Sequence, residues 1–94
     1  PDLDLARRIV RAYLPPEAAD VWLFGSRARG DARRWSDIDV AVQPKQALPA
    51  GRLAALREAL EESNLLLDVD VVDLSEADER MREAVQVEGI RWDD

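Results

Sequence analysis

The sequence predicts a small α/β domain of the α+β two-layer type, with helices on one face of a small mixed β-sheet and an open face opposite. The length of 94 residues fits one domain, 1–94. Apolar residues make up 47% of the chain and charged residues 35%, which is a globular composition. Helical and strand periodicities follow one another in the order α-β-loop-β-α-β-α.

The first two regular elements precede Gly25. Residues 3–14 predict a helix, because apolar side chains recur at helical spacing, and Pro15-Pro16 ends it. An apolar run over 21–24 predicts a short buried strand. Residues 26–36 are rich in Arg, Gly, Asp and Ser and predict a short helical turn and a loop. The apolar stripe of the helix consists of Leu5, Ile9, Ala12 and Tyr13.

Two further strands are predicted from alternation. Residues 37–42 place apolar side chains on one face and acidic ones on the other, and residues 65–74 repeat this split. The apolar side should face the helices, which leaves the acidic side on the open face. The acidic side chains on that face are Asp37, Asp39, Asp68 and Asp70. Asp73 has the opposite parity and should be structural.

Two more amphipathic helices flank the third strand. The second of them should begin with Ser75 as its N-cap and end at Gly89 as its C-cap. We expect Ile90 and Trp92 to fold back onto the core. The two apolar stripes are Leu53, Leu56 and Leu60, and then Ala77, Met81, Ala84 and Val85.

The composition restricts the chemistry. The chain has no Cys and no His, which excludes disulfides, thiolate or imidazole metal sites and a Ser-His-Asp triad. Its 20 acidic and 13 basic residues give a charge of −7, which argues against binding long nucleic acids. No apolar run approaches the roughly 20 residues that span a bilayer, and the first residues lack a signal-peptide core, so we expect a cytoplasmic location.

Clustered carboxylates and a glycine turn point to a phosphate site that uses metal. Like charges on one face repel unless a cation lies between them, and Mg²⁺ prefers carboxylates, waters and substrate phosphates. Gly25 allows a close backbone approach, and Ser26 follows it at a predicted helix start, where N–H groups bind phosphate. Arg27 and Arg29 can supply positive charge, and their spacing leaves open which one faces the ligand.

These residues carry a family resemblance. Gly25-Ser26, then after ten residues Asp37-Ile38-Asp39-Val40, then the triplet Val69-Asp70-Val71, resemble the DNA polymerase β-type nucleotidyltransferase superfamily. The run GSRARGDARRWSDIDVAV is especially similar to the minimal nucleotidyltransferases (MNT), stand-alone catalytic domains of about this size. The similarity is dense over 22–42 and looser over 66–74.

The resemblance implies a nucleotidyltransferase fold and a two-metal mechanism. Asp37 and Asp39 would hold both Mg²⁺ ions, and Asp70 would hold the ion nearest the attacking hydroxyl and accept its proton. Asp68 has the same parity and is the rival for that role. Gly25 and Ser26 would bind the β- and γ-phosphates of an incoming NTP.

The family also implies a partner. MNT proteins pair with HEPN-domain ribonucleases in two-gene toxin–antitoxin modules, and the MNT protein can neutralise the toxin by transferring AMP to a tyrosine. We therefore expect AMP transfer from ATP to a HEPN partner. Two alternatives remain: an antitoxin that blocks a basic ribonuclease sterically through its acidic surface, and, ranked lower, an enzyme for small molecules such as aminoglycosides. The lower rank reflects the expectation that 94 residues leave no room for an acceptor-holding domain. Base preference and oligomeric state, homo-oligomers included, stay open.

Overall fold

A computed structural model gives the structure of residues 1–93, in which helices flank a four-stranded sheet. The element bounds are α1 Asp2–Tyr13, β1 Ala19–Phe24, α2 Ser26–Arg29, β2 Ile38–Pro44, α3 Arg52–Glu61, β3 Val69–Asp73, α4 Glu79–Glu88 and β4 Ile90–Arg91. In this part of the chain, no helix has the length and apolar character needed to cross a membrane.

The sheet has the strand order β3-β2-β1-β4. Strand β1 pairs antiparallel with β2 and β4, whereas β2 and β3 are parallel. This mixed sheet confirms the predicted α/β fold class. The third strand is shorter than the predicted 65–74, because Leu66 N and Leu67 N donate to the Asp2 Oδ2 carboxylate at 2.9 and 3.0 Å rather than to a neighbouring strand.

The main core lies between α1, α3 and one sheet face. Leu56 and Leu60 of α3 are buried there as predicted, and Leu53 packs against them. In α1 the predicted stripe is confirmed in part: Ile9 and Tyr13 pack against the core, but Ala6 and Val10 are the fully buried positions and Ala12 is exposed. Apolar residues cover so wide an arc of α1 that its final rotation depends on the sheet beneath it.

The second sheet face is partly covered, which corrects the expectation that all helices share one face. Val85 and Met81 of α4 pack against Trp22 and Ala41, whose side chains point away from the main core. The alternation of β1 and β2 places these two apolar residues on the second face, and α4 removes them from water. Ala84, predicted in the α4 stripe, is exposed instead.

The N-terminal end of α4 differs from the prediction, whereas its C-cap is confirmed. Its N-cap is Asp78, whose Oδ1 accepts a hydrogen bond from Met81 N at 2.9 Å. Ser75, the predicted cap, instead donates through Oγ to Asp73 Oδ1 at 2.6 Å. Gly89 is the C-cap, in an extended rather than a left-handed conformation, and donates its N–H to Val85 O at 2.7 Å.

The C-terminal segment folds back onto the domain. Trp92 is buried, and its N–H donates to Val21 O at 2.8 Å, whereas Ile90 in β4 is exposed, against expectation. Arg11 fixes this arrangement, since its guanidinium donates to the carbonyls of Leu14, Ala19 and Trp92. Burial lowers the pKa of Arg11.

Candidate active site

The β2–β3 pairing brings two acidic side chains together. Asp39 lies directly opposite Asp70 in the parallel register, on the face that α4 only partly covers. Burial raises the pKa of Asp39 above its ordinary value of 3.8, and the negative charges of Asp70 and then Asp37 raise it further. Asp70 and Asp37 are therefore each close enough to Asp39 for their negative charge to act on it. Asp68 precedes β3, and its carbonyl accepts the Ile38 N–H at 2.9 Å.

A glycine turn lies against the central carboxylate. Gly25 follows β1 with φ 74° and ψ −154°, a backbone conformation that only glycine adopts readily. A Cβ atom added at Gly25 would overlap Asp39 Oδ2. Helix α2 starts at Ser26, and the Gly25 carbonyl accepts N–H bonds from Ala28 and Arg29, both at 3.1 Å. The Asp39 carboxylate therefore lies directly against the Gly25 backbone at the start of α2.

The two arginines of α2 have different surroundings, which their spacing could not reveal. Arg29 is exposed and contacts Asp31 Oδ2 at 3.2 Å and Glu88 Oε1 at 3.3 Å, and these bonds raise its pKa. Its positive charge also acts on Asp39, opposing the rise in that pKa. Arg27 donates to the backbone carbonyls of Arg33, Arg34 and Ser36 in the following loop.

The loop before Asp37 carries an exposed aromatic side chain. Trp35 is 67% exposed, and the Arg34 guanidinium lies 5.3 Å from the centre of its ring. The sequence leaves both core packing and a partner-facing or base-stacking role open for Trp35, and the exposure excludes core packing. The indole lies instead in a surface depression that it lines with Pro1, Asp2, Leu66 and Leu67.

The donor set suits a hard divalent cation. Within residues 1–93, no three or more Asp and Glu side chains form a ready arrangement that could hold a metal ion. Asp37, Asp39 and Asp70 nevertheless supply carboxylate oxygens, and the charges of Asp37 and Asp70 act on Asp39, which lies where a side chain at Gly25 would stand. These residues fit Mg²⁺ by donor type and by the charge it would offset.

A mixed sheet with opposed aspartates on neighbouring strands beside a Gly-Ser turn is the arrangement that the sequence resemblance implies for a nucleotidyltransferase. The family described as polymerase beta, nucleotidyltransferase, matches residues 8–91. The chain belongs to this polymerase beta family of nucleotidyltransferases. The family and fold expected from the sequence are thereby confirmed.

One relative and two solved structures show which members of the family this chain is similar to. A probable protein adenylyltransferase MntA of Haemophilus influenzae is 33% identical over 85 residues, which cover 90% of this chain and 73% of the relative. A chain in a toxin–antitoxin crystal structure with AMP-PNP is 33% identical, with a TM-score of 0.73, 90% of this chain covered and 67% of that one. A chain in the structure of a tri-AMPylated Shewanella oneidensis HEPN toxin with its MNT antitoxin is 26% identical, with a TM-score of 0.62, 95% of this chain covered and 70% of that one.

Proposed function

We propose that this nucleotidyltransferase transfers AMP from ATP to a tyrosine hydroxyl of a HEPN-domain toxin, in a reaction that requires Mg²⁺, and so acts as the antitoxin. The observation that carries the proposal is the opposition of Asp39 and Asp70 beside the Gly25 turn. The similarity to MntA, and to chains from toxin–antitoxin structures that contain AMP-PNP or an AMPylated HEPN toxin, supports the nucleotide and the partner.

The carboxylates would hold the metal ions. Asp37 and Asp39 would bind two Mg²⁺ ions and Asp70 the ion nearest the acceptor; when bound, Mg²⁺ supplies positive charge for the carboxylates and the phosphates. The raised pKa of Asp39 is consistent with this assignment, because a site that gathers negative charge is suited to a cation.

The turn would hold the triphosphate. N–H groups in the first turn of α2 have no partner within the helix, so the Ser26 backbone and hydroxyl are free to donate to the β- and γ-phosphates. Gly25 has no Cβ and therefore lets the Asp39 carboxylate lie directly against this turn. Arg29, whose charge reaches Asp39, would add positive charge on the same side.

The reaction is an in-line displacement at the α-phosphorus. The acceptor oxygen forms a bond to that phosphorus while the bond to the bridging oxygen of the β-phosphate breaks, and pyrophosphate leaves. Asp70 accepts the proton of the acceptor hydroxyl. We assign this role to Asp70 rather than Asp68 because Asp70 is the residue opposite Asp39 in the sheet register.

Intact-mass spectrometry tests the transfer. The chain is incubated with ATP, Mg²⁺ and its HEPN partner, and the partner should gain the mass of one or more AMP groups. Asp39→Asn should abolish the gain, whereas the control Asp73→Asn should retain it, since the Asp73 carboxylate accepts bonds from Ser75 and faces away from the site. A partner of unchanged mass, with a folded enzyme, would contradict AMP transfer.

The charge of −7 favours a second candidate, a module that blocks a basic ribonuclease by binding alone. The two candidates differ in their need for Asp39. If Asp39→Asn still neutralises the toxin fully, binding is sufficient and the catalytic proposal fails. If neutralisation is lost while the complex still forms, transfer is required.

A further inference from the structure

We infer that Arg27 is a positioning residue that orients Asp37 through the peptide group between Ser36 and Asp37. The inference rests on the proposed role of Asp37 as a metal ligand. It adds a residue that is not itself a ligand, Arg27, which holds the backbone next to Asp37. It also assigns Arg27 a role distinct from the phosphate-binding one that its sequence position suggests.

The contacts of Arg27 converge on one carbonyl. Its Nε and Nη2 atoms donate to Ser36 O at 3.1 and 2.8 Å, in a partly buried contact. Nη2 also lies 3.4 Å from Arg33 O and 3.5 Å from Arg34 O. The loop adds its own bonds, from Ser36 N to Arg33 O at 3.1 Å and from Arg33 N to Ser36 Oγ at 2.8 Å. The guanidinium therefore closes a loop that has little core of its own.

The clamped carbonyl belongs to the same planar group as the Asp37 nitrogen. Because the peptide unit is rigid, holding Ser36 O also fixes the plane in which the Asp37 N–H lies. On the other side of Asp37, Ile38 N donates to Asp68 O at 2.9 Å and fixes the next peptide group. Asp37 is thus held between two anchored peptide planes although its own side chain is exposed.

The clamp depends on the fork of a guanidinium. Two donors of one planar group reach the same oxygen, whereas a lysine ammonium is a single point on a flexible stem. Arg27→Lys therefore keeps the charge and loses the geometry. If Arg27 instead bound a phosphate through its charge, Arg27→Lys would keep most of the activity.

Three variants separate the two roles: Arg27→Lys, Arg27→Gln and the charge control Arg33→Gln in the same loop. Both Arg27 variants should lower kcat of AMP transfer by about 10- to 100-fold, the usual effect of losing support behind a metal ligand. At saturating Mg²⁺ the KM for ATP should change by less than about twofold, because excess metal keeps the site filled and ground-state nucleotide binding is then left intact. Arg33→Gln should leave kcat unchanged.

A second readout needs no acceptor. Amide hydrogen exchange of residues 31–37 should be faster in both Arg27 variants than in the wild-type chain, and Mn²⁺ should bind more weakly by about 10-fold or more. Wild-type activity in Arg27→Lys, together with a raised KM for ATP in Arg27→Gln, would overturn the inference. If the wild-type chain transfers no AMP, the proposed function fails, and exchange and Mn²⁺ binding still decide the role of Arg27. Unchanged exchange and unchanged Mn²⁺ affinity in folded Arg27 variants would also overturn it.

Discussion

Asp39 is a carboxylate whose ionisation the fold opposes. It is partly buried, lies opposite Asp70 and close to Asp37, and its pKa is raised by all three circumstances. For an acid whose pKa rises on folding, the stability that the protonated form contributes is present at low pH and is lost as the pH rises through the folded pKa. The metal-free domain therefore carries a penalty at neutral pH that a cation would remove.

Asp39→Asn should raise the melting temperature of the metal-free domain at pH 7, because it removes this buried charge. The difference from the wild-type chain should be small below the ordinary pKa of 3.8 and should grow as the pH rises above it. Thermal unfolding followed by circular dichroism across the acidic to neutral range measures it. A variant that is less stable than the wild-type chain at pH 7 would contradict the electrostatic account.

Gly25→Ala should remove activity out of proportion to its effect on stability. The backbone conformation of Gly25 costs other residues about 1–3 kcal/mol, and the added Cβ displaces the Asp39 carboxylate. The matched control is Gly51→Ala, also at positive φ but with open space around the added atom. Gly51→Ala should lower stability by about 1 kcal/mol and leave kcat unchanged. Equal kcat values for the two variants would argue against the contact.

The residues of the site differ in how far the sequence predicts them. Strand parity is a local property, so the sequence alone predicts that Asp37, Asp39 and Asp70 share one face. The contrast between Arg27 and Arg29 is not predictable in this way, because it depends on where the loop carbonyls fold in space. The exposure of Trp35 depends on the same loop.

Among the elements, α4 begins with an N-cap at Asp78, where the sequence predicts Ser75. Asp78→Ala should destabilise the domain by about 1 kcal/mol, because the N–H of Met81 loses its acceptor. Ser75→Ala, at the position predicted as the cap, should cost less, since Ser75 bonds the exposed Asp73 carboxylate. Chemical denaturation of both variants measures the difference. A larger loss for Ser75→Ala would return the cap to the predicted position.

Element existence was predictable and element ends were less so. The alternation of 37–42 predicts β2, but the carboxylate of Asp2, distant in sequence, takes the N–H groups of Leu66 and Leu67 and so keeps them out of the third strand, which begins at Val69. The two residues of β4 are too few for any periodicity to indicate. Helix α4 packs on the second face because it buries Trp22 and Ala41 there. These two apolar residues come together only through the pairing of β1 with β2, which the sequence does not give.

At the scale of the whole molecule, Arg11 joins the two ends of the chain. Its guanidinium donates to the carbonyls of Leu14, Ala19 and Trp92, so it ties α1, β1 and the C-terminal segment together. Arg11→Met should keep the apolar stem and cost about 2–3 kcal/mol, as charged hydrogen bonds to partly buried carbonyls are lost. Denaturant unfolding with Trp fluorescence measures it. A loss below about 0.5 kcal/mol would show that these bonds merely replace water.

Part of the net negative charge of the molecule lies in the candidate site, and the rest lies elsewhere on the surface. Three of the carboxylates belong to the face that the proposed Mg²⁺ ions would occupy, so a metal-loaded chain would be able to bind a negative nucleotide despite its own negative charge. The net charge alone argues against long nucleic acids but does not exclude this. Nucleotide affinity should accordingly depend on metal rather than on surface arginines alone.

Calorimetric titration with AMP-PNP, with and without Mg²⁺, tests this dependence directly and needs no partner. The wild-type chain should bind the nucleotide at least about tenfold more tightly with Mg²⁺, a difference of about 1.4 kcal/mol, and Asp39→Asn should lose most of that gain. Equally tight binding without metal, in both the wild-type chain and the variant, would contradict the assignment of the carboxylates.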